Sequence, residues 1–226
     1  MDKSSELISS TRVDRPLRVS VEGNIGSGKT TFLNYCQHRR NDVDVAFEPV
    51  SQWTNLNGTN LLSNFYGDPG KWAMPFQSYV SLTMLELWSR RSDKEICLTE
   101  RSLLSSRYCF LEAMRSSGTL DPAMYSILVQ WHAFYVSKFD FVTPHAIVYL
   151  ETTPTVAHRR MLSRSRTEES SVPLAYLEQL DALHGIWLRR EQTANIPIFV
   201  IDADQPMDTL IKSYDECLGN LKLLRL

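Results

Sequence analysis

Gly23-Asn24-Ile25-Gly26-Ser27-Gly28-Lys29-Thr30 matches G-x-x-x-x-G-K-[ST] in full, between an apolar-rich run, Leu17–Glu22, and a helix-like run that begins at Lys29. No other stretch constrains the fold as much. Glycines let the backbone turn where a side chain would clash, the N–H groups of the turn and of the following helix face an anion, and Lys29 adds a point charge. The strand before and the helix after are the context this motif demands. The chain is therefore expected to grip a polyphosphate, ATP with Mg²⁺, and the loop leaves open where the phosphate goes.

At 226 residues, 43% hydrophobic and 22% charged, the chain is long enough for a sizeable core and short enough for one domain. Residues 17–226 are expected to form it, after a flexible N-terminal segment, 1–16. A net charge of -2 gives no global electrostatic reason to bind a nucleic acid polymer or an anionic membrane. Cys36, Cys97, Cys109 and Cys217 are scattered without metal-ligand spacing, so reduced thiols in an ATP-containing compartment are expected. Asp2, Glu6 and Asp14 argue against a signal peptide and against an acid-poor transit peptide, which favours cytoplasm or nucleus and leaves the mitochondrion open should the N-terminus be trimmed.

Short β-rich runs alternate with longer helical ones, the pattern of a parallel sheet covered by helices. Strands are expected at Leu17–Glu22, Val43–Glu48, Glu95–Thr99, Ala146–Glu151 and Ile196–Asp202. Helices are expected at Lys29–Arg40, Trp72–Arg91, Leu103–Arg115, Pro122–Phe139, Pro154–Arg164, Pro173–Glu191 and Met207–Leu224. Asn55–Gly70 reads as the longest irregular stretch, and Ser163–Ser171 as a charged insert between two helices. The fold class is α/β: a P-loop three-layer α/β/α domain on a five-stranded parallel sheet.

Ligands of open α/β sheets bind beyond the carboxyl ends of the strands. There the sequence offers Glu48-Pro49-Val50, Glu100-Arg101-Ser102 and Asp202-Ala203-Asp204. Phosphoryl transfer needs an oriented nucleophile, an acceptor for its proton and neutralisation of the moving charge. Glu48 suits the proton, Thr30 and Glu100 suit the metal, and Arg101 can bridge nucleophile and phosphate through its fork of donors. From position alone, Glu48 is equally a solvated carboxylate that stops a strand, and Glu100 with Arg101 equally a structural ion pair.

The ordered set resolves that choice. Glu22-Gly-Asn-Ile-Gly-Ser-Gly-Lys-Thr-Thr31, Glu48-Pro-Val50, Trp72-Ala-Met-Pro-Phe-Gln-Ser-Tyr79, Glu100-Arg-Ser102 and Arg160-x-x-x-Arg164-x-Arg166-x-Glu168-Glu169 together resemble the deoxyribonucleoside kinases, from about Leu17 to about Asp204. The branch most resembled holds the insect multisubstrate enzyme and mitochondrial thymidine kinase.

The resemblance implies that Glu48 is the general base on a nucleoside 5′-hydroxyl, with Arg101 holding both and Lys29 on the phosphates. It implies that Gln77 pairs with the base edge, that Trp53 and Phe110 flank the base with Phe65, Phe76, Val80 and Met84 nearby, and that Tyr66 and Glu169 take the 3′-hydroxyl. Arg160, Arg164 and Arg166 correspond to a lid over ATP, which Arg159 extends without belonging to, and Asp202-Ala203-Asp204 to its adenine side. Relatives that prefer purines or deoxycytidine tend to carry Arg and Asp where this chain has Met84 and Ser106, so thymidine and deoxycytidine are expected ahead of purines. The same branch usually has Ala at the position of Ser106 and more often Met at that of Phe65, so both are departures. A homodimer and inhibition by an end-product deoxynucleoside triphosphate are also implied. The competing readings are a nucleoside monophosphate kinase of the thymidylate type, a catalytically silent nucleotide-binding subunit and a P-loop GTPase; the last lacks guanine-reading and switch motifs.

Overall fold

The computed structural model describes residues 16–189 and 195–224. The expected N-terminal segment, 1–16, lies outside the described residues save for Pro16, as do positions 190 and 191 of one expected helix.

Five strands, β1 (Leu17–Glu22), β2 (Val43–Ala46), β3 (Ile96–Glu100), β4 (Ala146–Glu151) and β5 (Ile198–Asp202), form one parallel sheet in the order β2-β3-β1-β4-β5. The order reverses about β1, the kind of switch point where such sheets open a crevice. Val21 is level with Glu100 and Glu22 with Tyr149, so the loop after β1 emerges beside the end of β3.

Both sheet faces are covered, which explains strands that are apolar nearly throughout. On one face Val19, Val21, Val148 and Leu150 pack with Phe32 and Leu33 of α1 (Lys29–Arg39) and Leu218 and Leu221 of α10 (Met207–Leu223). On the other, Ile147 packs with Met161 of α8 (Pro154–Ser163) and Leu177, Leu180 and Trp187 of α9 (Leu174–Trp187). A third cluster joins Phe76, Met84 and Trp88 of α4 (Pro69–Ser89) to Leu103, Leu111 and Leu128.

Three departures from the expected elements bear on the site. Strand β2 ends at Ala46, because Phe47-Glu48-Pro49 leaves the ladder and Pro49 has no N–H to donate. The helix expected over Leu103–Arg115 is interrupted: α5 (Leu103–Ser105) runs into a π-helical turn, Ser106–Phe110, before α6 (Leu111–Ser116). Such bulges re-aim side chains.

Asn55–Gly70 is not one irregular stretch. After the short α2 (Val50–Thr54), Asn60 caps α3 (Leu61–Gly67) by accepting from Ser63 N at 2.8 Å, and Asp68 caps α4 by accepting from Lys71 N at 3.3 Å. The polar residues that suggested a loop are helix caps. A further helix, α7 (Pro122–Lys138), starts with Pro122 behind the cap Asp121.

Candidate active site

The loop 23–30 is shaped by close approach. Gly23 has φ +142°, and a Cβ there would meet Leu150 O at 2.7 Å; Gly26 has φ +80°, and a Cβ there would meet Ala157 O of α8 at 2.2 Å. Glycine is required at both. Asn24 ties the loop down, its Oδ1 accepting from Ile25 N at 2.9 Å and its Nδ2 donating to Leu177 O at 2.8 Å. Gly28 precedes α1 in the left-handed conformation with no side-chain cap, so the first-turn N–H groups of α1 are left for an anion. Thr31 stands in that first turn, exposed.

Lys29 is buried and donates to Gly23 O at 3.2 Å and Asn24 O at 2.7 Å. Burial, and then the neighbouring Arg101 guanidinium, bring its ammonium down to about 7. Thr30 Oγ1 lies 3.1 and 3.2 Å from the two oxygens of the buried Glu100.

Arg101 is held in an unusual backbone state, φ +61°, by bonds on every side. Its N–H donates to Val21 O at 2.9 Å, its carbonyl accepts from Trp88 Nε1 at 3.2 Å, and its Nη1 donates to Gly23 O at 2.9 Å. Its Nε meets Glu48 Oε1 at 3.2 Å, and its guanidinium lies over the Phe110 ring at 4.7 Å. Burial raises the Glu48 carboxyl above the usual range, and the charge of Arg101 opposes it.

Glu48 and Arg101 open onto a cavity bordered by Lys29, Glu100 and Gly26 at one end. Aromatic and apolar side chains line the rest. Trp53 and Phe76 meet edge to face, Phe65 stacks on Phe76 with centroids 5.0 Å apart, and Val80, Met84 and Phe110 complete the walls. Trp53 spends its N–H on Thr83 Oγ1 at 2.9 Å, which leaves its flat face as the contact surface. Amid these walls stands Gln77, whose Oε1 accepts from Ser106 Oγ at 3.1 Å. One amide among flat apolar faces suits a flat heterocycle with a donor and an acceptor on one edge.

Tyr66 and Glu169 border the cavity, and burial raises the Tyr66 phenol well above its usual value. Arg164 and Arg166 both donate to Glu169, Arg166 at 2.8 Å, across the turn Thr167–Glu169. The remaining expected residues stand apart from this cavity, at the end of β5. Arg160 donates to Ala203 O at 2.9 Å and faces Asp204 at 4.0 Å, while Asp204 accepts from the N–H and hydroxyl of Thr153 at 3.0 and 2.7 Å, and Asp202 accepts from Gln205.

Sequence reasoning passed over Glu22, Ser102 and Tyr176. Glu22 ends β1 fully buried, accepts from Ser102 Oγ at 2.6 Å, and is raised by burial. Ser102 also caps α5, so Glu22 braces the junction that carries Arg101. Tyr176 borders the cavity from α9. A tyrosine one turn into a helix carries no signal that separates it from core.

Known proteins resemble this chain along most of its length. A family model described as deoxynucleoside kinase matches residues 19–221. The chain is 38% identical over 200 residues to mitochondrial thymidine kinase 2 of Homo sapiens, covering 88% of this chain and 75% of that one. It is 29% identical to human deoxycytidine kinase, covering 90% and 92%, and 28% identical to the mitochondrial deoxyguanosine kinase of Xenopus laevis, covering 95% and 92%.

Proposed function

The chain belongs to the deoxynucleoside kinase family, whose reaction is ATP-dependent phosphorylation of a deoxynucleoside, and we propose that it acts on pyrimidines, thymidine and deoxycytidine, ahead of purines. In this reading residues 17–226 are the single catalytic domain of a salvage enzyme in an ATP-containing compartment: cytoplasm, nucleus or mitochondrion. Among the described residues no helix is long and apolar enough to cross a membrane.

The observation that carries the reading is the Arg101 fork, joined to Glu48 at 3.2 Å and to the phosphate loop at Gly23 O at 2.9 Å. A carboxylate lashed to a phosphate loop at the mouth of an aromatic pocket stands where a 5′-hydroxyl has to lose its proton. Glu48 accepts that proton, and Arg101 holds the hydroxyl and the developing charge in line. Lys29 leaves the Gly23 and Asn24 carbonyls for the phosphates, and the N–H groups of 23–30 cradle them. Arg164 and Arg166 close over the donor, with Arg160, Asp202, Ala203 and Asp204 on its adenine side.

Thr30 and Glu100 suit Mg²⁺: a hydroxyl and a buried carboxylate are hard oxygen donors beside the phosphate cradle, and this ion takes few protein ligands. When bound it supplies charge neutralisation on the phosphate oxygens.

The aromatic walls clasp the base, Gln77 pairs with its edge, and Tyr66 with Glu169 takes the 3′-hydroxyl. Met84 offers no charge to a base edge. The exposed apolar face of α7 forms a homodimer, and an end-product triphosphate inhibits by occupying donor and acceptor subsites together. Specificity constants for the four deoxynucleosides, with thymidylate as a fifth acceptor, test the reading. Pyrimidines lead and thymidylate is not used; purines tenfold ahead would overturn the base preference.

A further inference from the structure

At the carboxyl end of β1, on the sheet face that α9 covers, buried polar atoms collect that phosphoryl transfer does not use. Ser20 and Glu22 alternate along β1 and so point to one face, level with Ile147 and Tyr149 of β4. Ile147 packs against α9, and His184 of that helix lays its ring along Tyr149 with centroids 6.1 Å apart. Ser20, Glu22 and His184 are each 0% exposed. Ser20 Oγ, Glu22 Oε2 and His184 Nε2 meet no hydrogen-bond partner among the described residues. Arg101 and Lys29 act electrostatically on both Glu22 and His184, so the two lie within the field of the same pair of cations.

Each of the three atoms has a definite role. Leu180 O can only accept, so His184 Nδ1, 2.7 Å away, carries the ring proton and Nε2 is left as an acceptor. Burial takes the imidazole down to about 3, which keeps it neutral. Glu22 Oε1 accepts from Ser102 Oγ at 2.6 Å. Burial raises the Glu22 carboxyl against the opposing pull of Ser102, Arg101, Ser105 and Lys29, and the neutral acid has an O–H to give from Oε2. The Ser20 hydroxyl both gives and accepts. A donor, an acceptor and a group that is both, buried on one face, are what an internal water needs, since such a water typically makes about 3 hydrogen bonds to groups otherwise unsatisfied.

We propose that Glu22 and His184 are positioning residues joined through an internal water that Ser20 shares, Glu22 giving a hydrogen bond and His184 accepting one, and that this link holds Ser102 and thereby aims Arg101. Ser102 follows Arg101 directly, and Glu22 precedes Gly23, whose carbonyl accepts from Arg101 Nη1 at 2.9 Å. Holding the Glu22 carboxyl therefore steadies Arg101 from its own chain and from the loop. The backbone of Arg101, at φ +61°, is in a state that persists only where its surroundings impose it. The link rests on the reading of Arg101 and Glu48 as the pair that serves the 5′-hydroxyl.

The test reads kcat per ATP-binding site, counted by titration, so partial loss of folded protein cancels. Glu22→Met removes donor and acceptor at similar volume, and His184→Phe keeps a ring against Tyr149 without the acceptor. Glu22→Gln offers a carbonyl to Ser102 and an N–H in place of the acid O–H. Both apolar variants are expected to lose about tenfold or more in kcat, with the KM for ATP and for nucleoside within about threefold, as misaimed catalytic groups do. Glu22→Gln is expected to turn over about tenfold faster than Glu22→Met, and Glu22→Met combined with His184→Phe to lose no more than the worse single variant. Infrared spectra of the unmodified protein and Glu22→Gln are expected to differ by the C=O band of one protonated carboxyl, a reading for which neither apolar variant has to fold. Unchanged kcat in either apolar variant, penalties that multiply, a Gln variant as slow as the Met variant, or absence of that band overturns the link and leaves the kinase reading standing. Near-normal kcat in Arg101→Lys overturns instead the reading of Arg101 and Glu48, and the link with it.

Discussion

Arg101 and Glu48 form one unit with the phosphate loop: Arg101 Nε lies 3.2 Å from Glu48 Oε1 while Nη1 of the same guanidinium donates to Gly23 O at 2.9 Å. The rigid fork transmits the position of the loop to the carboxylate, which a lysine with its single charged point cannot do. Glu48→Gln keeps the shape and removes the proton acceptor, so kcat falls by about 10²- to 10⁴-fold with a smaller change in nucleoside KM. Burial raises the Glu48 carboxyl. Turnover of the unmodified enzyme therefore declines as pH falls through a point above the ordinary carboxylate value, and the Gln variant lacks that limb. A pH profile of kcat for both proteins checks this, and near-normal turnover in the variant excludes Glu48 as the base.

Lys29 gives a second pH signature. Its ammonium titrates at about 7 with only carbonyl partners, because burial and Arg101 disfavour its charge. A polyphosphate reverses that balance and raises the value. At pH 8 the free protein holds Lys29 largely neutral and the complex holds it charged, so binding takes up a proton; at pH 6 it is charged in both and uptake vanishes. Calorimetric titration of ATP in two buffers of different ionisation enthalpy reads the difference. Equal uptake at both pH values contradicts it.

Gly26 is a point at which the phosphate loop touches α8, the helix that carries Arg160. With φ +80° and Ala157 O only 2.2 Å from where a Cβ would stand, Gly26→Ala is strained in its backbone and forces α8 away from the loop. Strain of this kind costs about 1–3 kcal/mol. Thermal melting shows a lower midpoint, and the KM for ATP rises more than that for nucleoside, since the displaced element carries Arg160. A variant with unchanged melting and unchanged KM for ATP would falsify the contact.

The strands, their parallel sense and the phosphate loop were legible because each rests on local pattern: apolar runs, glycines at fixed spacing, and a helix start at Lys29; the order of the strands in the sheet was not. Glu48, Glu100 and Arg101 were legible as strand-end residues, although Glu48 lies two residues past its ladder. What composition hid was helix α3, since Asn60 and Asp68 have the same chemistry as caps and as loop residues. The π-helical turn left no trace either. Its extra residue changes which side chains face the cavity without altering the apolar period enough to be read. Glu22 was illegible for a different reason: a carboxylate inside a strand end acquires meaning only when Ser102, eighty positions away in sequence, is seen to donate to it.

The face of α7 carries a prediction about assembly. Ile127, Trp131 and Phe134 are 42%, 50% and 46% exposed, and Leu82 of the neighbouring α4 is 49% exposed. Ile127, Trp131 and Phe134 recur at i, i+4 and i+7 on one face of α7, and a large exposed apolar face of this kind is the sort that a partner covers. The protein is expected to sediment at twice its chain mass, and Trp131→Glu combined with Phe134→Glu is expected to sediment as the monomer. Sedimentation of the unmodified protein as a monomer at micromolar concentration removes the homodimer from the proposal.

In the proposed reading Glu169 links the lid to the sugar, and this gives the most discriminating test of the pocket. Its carboxylate, 5% exposed, accepts from Arg164 and Arg166 and borders the cavity beside Tyr66. A 3′-hydroxyl that donates to the same carboxylate joins this network, so nucleoside binding and lid closure share one residue. A hydrogen bond to a charged group contributes about 1.5–3 kcal/mol, or roughly ten- to hundredfold. The unmodified enzyme is expected to lose that factor in kcat/KM when thymidine is replaced by its 3′-deoxy analogue. Glu169→Ala, which has already lost the carboxylate, is expected to discriminate between the two by less than threefold while its KM for ATP rises, because both arginines are released. Equal penalties in the two enzymes would separate Glu169 from the sugar and leave it a lid contact alone.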